Sequence, residues 1–200
     1  AGLAERLGPE DIVFEHLQNS PELYVLRVAC EKAGLRILTV PRTFRENELQ
    51  PLVETLSPTL AIVPGEYRGF DHVAAVESIS GDSVEEIIAL DGSGDSSFDS
   101  LFAAGGAVPV KADPIGPTDV SQLATTSGSS GVPTCVEVTA GSRVRTGLEQ
   151  ADRHGVTSAD RVGVTTPLIS GAPDALAYHA GAAVGVSVDL LDQFDPAVLT

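Results

Sequence analysis

The chain has 200 residues, enough for one packed domain or a small pair, with 28 acidic side chains against 12 basic ones and a net charge of −16. That balance opposes binding to nucleic acid or to an anionic membrane surface, and the sequence offers neither a basic leader before a cleavable apolar run nor an apolar stretch of about 20 residues, so the cytoplasm is the default expectation. Only Lys32 and Lys111 are lysines, and the acids are dispersed rather than gathered in a tail; this reads as a halophilic protein from a salt-loaded cytoplasm, with an ordinary acidic protein as the plainer alternative.

In chain order, apolar periodicity alternates between strand and helix, the pattern of a largely parallel sheet covered by helices. Strands are predicted at Ile12 to Leu17, Arg36 to Val40, Leu60 to Val63 and Ile87 to Leu90, then at Val120 to Thr125, Thr134 to Val138, Arg161 to Thr165 and Val184 to Leu190. Helices are predicted at Pro21 to Lys32, Glu46 to Thr55, Phe70 to Ser78, Ala140 to His154 and Ala172 to Ala182. The first of these has Ser20 as N-cap, Pro21 at its first position and Gly34 just past its end. A turn-rich break from Asp91 to Thr118 places a boundary near Asp113, giving subdomains over 1–112 and 113–200.

Cys30 and Cys135 are too few and too far apart for a disulfide framework or a zinc site, and Cys30 falls within an apolar helix pattern as a small core residue. His16 and His179 lie in apolar surroundings and read as core or interface residues. His72 and His154 fall in polar helix stretches and read as solvated. No G-x-S-x-G elbow supports a serine hydrolase, and Asp91 to Asp99 lacks calcium-loop spacing.

The most informative segment runs from Thr126 to Thr139, T-S-G-S-S-G-V-P-T-C-V-E-V-T. Gly128 and Gly131 permit close approach of main-chain N–H groups, and Thr126, Ser127, Ser129 and Ser130 add short hydroxyls, which together can wrap an anion at a strand end. It does not fit the G-x-x-x-x-G-K-[ST] nucleotide loop, and on composition alone a surface linker is an equal reading.

The order of these residues, through Pro133, Val136 and Thr139, resembles the phosphate-binding signature of the adenylate-forming superfamily, T-S-G-[ST]-T-G-x-P-K-G-V-x-x-[ST]-H. That superfamily includes acyl- and aryl-CoA ligases and aryl-acid AMP ligases. Three members depart from it: Thr134 stands at the lysine, Cys135 at the second glycine and Ala140 at the histidine. The resemblance covers nearly the whole chain. Asp11 to Gly34 is similar to the opening strand, Asn-containing turn and long helix, with Asn19, Ser20, Pro21 and Glu22 in place. Pro41 and Glu46 to Leu56, then Thr59 to Pro64, resemble the next helix and strand. Asp160 to Pro167 resembles the strand leading to the acyl pocket, where Ser170 replaces a usual histidine. Ile62 to Asp71 is most similar to the aryl-acid branch.

The resemblance implies ATP-dependent activation of a small carboxylic acid as an acyl- or aryl-adenylate, with Mg2+, and then transfer to a thiol such as CoA. It implies ATP phosphate contacts from Thr126, Ser127, Gly128, Ser129, Ser130, Gly131 and Thr134, and substrate contacts from Ser170 and Gly171. Adenine, ribose and magnesium motifs and the C-terminal lysine have no counterpart here, so the chain is expected to be the N-terminal portion of a larger enzyme, one able to form a homo-oligomer, and inactive alone. The alternative is a non-catalytic nucleotide-binding or assembly module on the same fold.

Overall fold

Val13, Ile37 and Ile62 turn to one face of a sheet while their neighbours Phe14, Leu38 and Ala61 turn to the other, and all six are buried. Strands buried on both faces are what a parallel sheet under two helical layers requires. The computed structural model describes residues 2–102, 115–126 and 133–192. In it, β1 (Ile12–Glu15), β2 (Arg36–Thr39), β3 (Leu60–Val63), β6 (Glu86–Ala89), β7 (Val120–Thr125) and β8 (Cys135–Thr139) form one sheet in the order β6-β3-β1-β2-β7-β8. Every pairing in it is parallel except β7 with β8. The intervening β4 (Glu66–Tyr67) and β5 (Phe70–Asp71) make a separate small hairpin. This is the α/β arrangement that the apolar periodicity predicts.

One face carries α2 (Pro21–Ala33), through Leu23, Leu26 and Cys30. The other carries α3 (Glu46–Leu56) and α4 (His72–Ile79), through Leu49, Val53 and Val76. The predicted cap of α2 is present: Ser20 Oγ accepts from Leu23 N, and Gly34 ends the helix in the left-handed region at φ 74°. A short α1 (Gly2–Arg6) precedes β1 and was not predicted, because five residues carry no readable period.

The second layer begins with α5 (Ala140–His154) and a two-stranded parallel sheet, β9 (Arg161–Val164) with β10 (Ser187–Leu190). Between these strands Gly171–Pro173, Asp174–Ala180 and Gly181–Val184 run on as one helix, α6, whose middle half has π geometry. Helix α6 therefore absorbs Val184, predicted as strand, and Gly185 ends it in the left-handed region at φ 75° before β10 starts at Ser187. The boundary predicted near Asp113 lies outside the described residues. Among the described residues, no helix is long and apolar enough to cross a membrane.

Candidate active site

All five parallel strands of the main sheet end at one edge, and β7 delivers Thr125 there beside Thr39 of β2. Ligands of open α/β sheets bind beyond this carboxyl edge. At the head of the β7–β8 arm Thr126 N donates to Thr134 O at 2.9 Å, and Thr134 N donates to Thr126 Oγ1 at 3.1 Å. The two threonines thus close the neck of the predicted phosphate loop on each other, and Thr134 is exposed. Ser127, Gly128, Ser129, Ser130 and Gly131 lie outside the described residues.

Asn19 holds the second predicted segment in place. Its Nδ2 donates to Thr166 O at 2.9 Å and Leu191 O at 3.0 Å, and its Oδ1 accepts from Leu168 N at 2.8 Å. A single buried amide, with three of its four bonding positions filled, thereby pins the turn after β1 to the ends of β9 and β10. Ser170 follows as the N-cap of α6, with its O accepting from Asp174 N. Gly171 then lines a cavity of about 330 Å3 whose other walls include Thr125, Arg143, Asp174 and His179. The structure so brings Gly171 together with the root of the loop. A larger hollow of about 660 Å3 lies at the opposite edge, between the C-terminal ends of α3 and α4. It is an open surface recess away from both segments.

The floor beside the cavity is charged. Arg27 Nε donates to Glu15 Oε2 at 2.8 Å and its Nη1 to Asp174 Oδ1 at 2.7 Å, and both Arg27 and Glu15 are fully buried. Burial works against charge on Arg27, but Glu15 and Asp174 reverse that effect and hold its guanidinium more firmly protonated than usual. Burial likewise opposes charge on Asp174, yet His179, Arg27 and Arg143 outweigh it and keep the carboxyl below its ordinary range. Tyr24 OH donates to Ala177 O and the Tyr24 ring packs on Tyr178, fixing α2 against α6. Helix α5 approaches α6 closely at Gly147, where an added Cβ would fall 2.5 Å from His179 Cβ.

A second buried pair stands between β1 and β3, the topological switch point of the sheet. His72 Nδ1 and His16 Nδ1 are 3.1 Å apart, and His16 Nε2 lies 3.1 Å from Pro41 O. A carbonyl only accepts, so His16 carries its proton on Nε2, its Nδ1 accepts, and His72 donates from Nδ1. Burial first, then the neighbouring His72, pushes His16 down to about 3; burial and then Arg45 push His72 down to about 4. His72 is 1 % exposed, which corrects the solvated reading: the β4–β5 hairpin folds Phe70 across its ring. The same hairpin delays α4 from the predicted Phe70 to His72.

Arg143, Asp174 and the cavity role of His179 are not found by the sequence reading. A signal for Arg143 exists: it lies four residues before Gly147 and eight before Ala151, the inward stripe of an otherwise polar α5.

A model of the AMP-binding enzyme family matches residues 1–199, so the chain belongs to that family. No curated protein matches it. Among solved structures it is similar to MbtA of Mycobacterium smegmatis, with a TM-score of 0.87 and 21% identity over 100% of this chain and 38% of that one. It is similar to the long-chain-fatty-acid-CoA ligase FadD1 of Archaeoglobus fulgidus, with a TM-score of 0.81 and 18% identity over 99% and 39%. It is also similar to the O-succinylbenzoate coenzyme A synthetase MenE of Bacillus subtilis in complex with ATP and magnesium, with a TM-score of 0.78 and 19% identity over 98% and 48%. The chain spans less than half the length of each. These likenesses show the fold, the N-terminal part of the adenylate-forming enzyme structure.

Proposed function

We propose that this member of the AMP-binding enzyme family supplies the N-terminal half of a ligase that activates a carboxylic acid with ATP and passes it to a thiol such as CoA. The observation that carries this reading is the shared cavity: Thr125 at the root of the loop and Gly171 at the start of α6 line one space. A loop that holds phosphates and a pocket that holds an acid must adjoin for the acid's carboxylate to meet the α-phosphorus. In that step a carboxylate oxygen forms the new P–O bond and pyrophosphate leaves with the electrons of the old one. Holding both partners in line is the protein's main contribution.

Thr126 uses its N–H on the loop neck and its Oγ1 only accepts there from Thr134 N, which leaves its O–H to donate, so this hydroxyl, the amides and hydroxyls of Ser127 to Gly131 and the Thr134 hydroxyl are the proposed phosphate donors. Among the described residues no three His, Cys, Asp or Glu side chains converge as a metal cage. Magnesium fits such a site as an ion carried on phosphate oxygens, where it would neutralise charge on the departing group. Ser170 and Gly171 are proposed to touch the acid. The two subdomains, 1–112 and 113–200, and a salt-rich cytoplasmic setting complete the proposal.

The test is ATP–pyrophosphate exchange by the full-length enzyme over a panel of acids, with and without Gly128→Val. Acid-dependent exchange that the substitution slows at least tenfold supports the reading. Nucleotide binding without exchange for any acid would instead mark a non-catalytic module, and exchange unchanged by the substitution would remove the loop from the mechanism.

A further inference from the structure

Two arginines sit side by side against Tyr178, their guanidinium carbons 5.7 and 5.6 Å from its ring centre, and they are satisfied very differently. Arg27 is gripped by two carboxylates. Arg143 is equally buried, with 3 % of its side chain exposed, but each of its contacts is long: Ser121 Oγ at 3.4 Å, Glu31 Oε1 at 3.5 Å and Asp174 Oδ1 at 3.5 Å. Among the described residues its Nε and Nη2 have no hydrogen-bond partner, and neither has His179 Nε2, which faces Asp174 Oδ2 at 3.4 Å without completing a bond. Buried polar groups are normally paired, and unpaired donors of a charged group are costly. Both side chains line the 330 Å3 cavity, together with Asp174.

We infer that this cavity takes a small acid bearing a hydroxyl group away from its reacting carboxylate, with Arg143 donating to that hydroxyl and Asp174, beside His179, accepting its proton. The inference rests on the proposed adenylation. A hydroxyl suits the site because it both accepts and donates, and the site offers an unused donor beside a carboxylate. A second carboxylate suits it less, since it would face Asp174. A cavity of this volume is at the small end for ligand sites and has room for a single-ring or short-chain acid.

The experiment pairs isosteres, hydroxyl against methyl: the three hydroxybenzoates against the three methylbenzoates, and 3-hydroxybutyrate against 3-methylbutyrate. Full-length enzyme is assayed by ATP–pyrophosphate exchange, wild type beside Arg143→Met and His179→Phe, with thermal melts to verify folding. A site that hydrogen-bonds a hydroxyl discriminates strongly against its absence. The wild type is expected to prefer one hydroxy acid over its methyl partner by at least tenfold in kcat/KM, and either variant to bring that ratio toward one. In parallel, the Arg143 Nε–H resonance of the wild-type protein is followed while the same acids are added without ATP; the hydroxy acid should shift it and the methyl acid should not.

Equal use of both partners, or a preference that survives in the variants, overturns the inference while leaving adenylation standing. Absence of exchange with a hydroxy-specific shift at Arg143 refutes adenylation and upholds the site. An Arg143 resonance indifferent to every acid overturns the site even if the variants do not fold.

Discussion

Arg27 Nη1 lies 2.7 Å from Asp174 Oδ1, joining α2 to α6 across 147 residues of sequence. With Glu15 on its other side the guanidinium joins one fully buried anion to a partly buried one, and removing it strands Glu15 while Asp174 keeps Arg143 at 3.5 Å. Breaking a buried ion pair on one side costs about 3–5 kcal/mol. Arg27→Met is therefore expected to lower the free energy of unfolding by that amount, read from a urea denaturation midpoint. Adding Glu15→Met and Asp174→Leu to it should recover most of the loss. A single variant as stable as the parent would mean that the network contributes little.

The His16–His72 pair makes stability depend on pH. Both histidines are held far below their ordinary value of 6.5, to about 3 and about 4, so the unfolded chain binds protons that the folded one refuses. Stability from this source is complete above about pH 6.5 and is lost as pH falls toward 4, at up to about 1.4 kcal/mol per pH unit for each ring. Denaturation midpoints from pH 7.5 to 4.5 check it. His72→Phe should flatten the slope, and a parent slope no steeper than that of the variant would remove the pair as its cause.

At Gly147 an added methyl would meet His179 Cβ at 2.5 Å and Ala180 N at 2.9 Å. Alanine normally gains about 1 kcal/mol over glycine in a helix, but overpacking costs about 1–3 kcal/mol. Gly147→Ala is expected to destabilise on balance, and a raised melting temperature would contradict the close crossing of α5 and α6.

Thr134 is exposed at the loop neck, where the family signature has lysine. Thr134→Lys keeps the backbone bonds to Thr126 and adds an ammonium able to reach a departing pyrophosphate, a charge-assisted bond worth roughly 1.5–3 kcal/mol when desolvated. In the full-length enzyme, exchange should rise by up to about tenfold. A fall would place Thr134 away from the phosphates.

With a net charge of −16, the folded chain is expected to gain stability as KCl screens its self-repulsion. Melts from low to molar KCl should climb by several degrees. A level or declining midpoint would favour an ordinary acidic protein.

The main-sheet strands were legible because buried parallel strands are written as apolar runs, and α2 was legible because Ser20, Pro21 and Gly34 mark both ends. The candidate site was legible only where it is local: the loop from Thr126 and the segment at Gly171 can be read from neighbouring residues. Arg143 and Asp174 acquire their meaning from partners far away in sequence, and His72 from a hairpin whose two-residue arms are too short to show alternation. The π geometry within α6 shifts inward positions by one residue from the helical stripe, so His179 gives no reliable sign of which surface it faces.

Asn19, Tyr24 and Arg27 all lie in the first 27 residues, yet they bond to Leu191, Ala177 and Asp174. During synthesis β1, β2 and β3 can pair as soon as residue 63 is free of the ribosome. The face bearing these three side chains must then wait for more than a hundred further residues, with Arg27 holding only one of its two counter-charges. These partners come late in the chain: α6 carries Ala177 and Asp174 together, and β10 leads to Leu191 behind it. The nascent chain is thus most exposed to misassembly in the interval before α6 is made, when a finished sheet presents an unfinished, partly charged surface to whatever else is nearby.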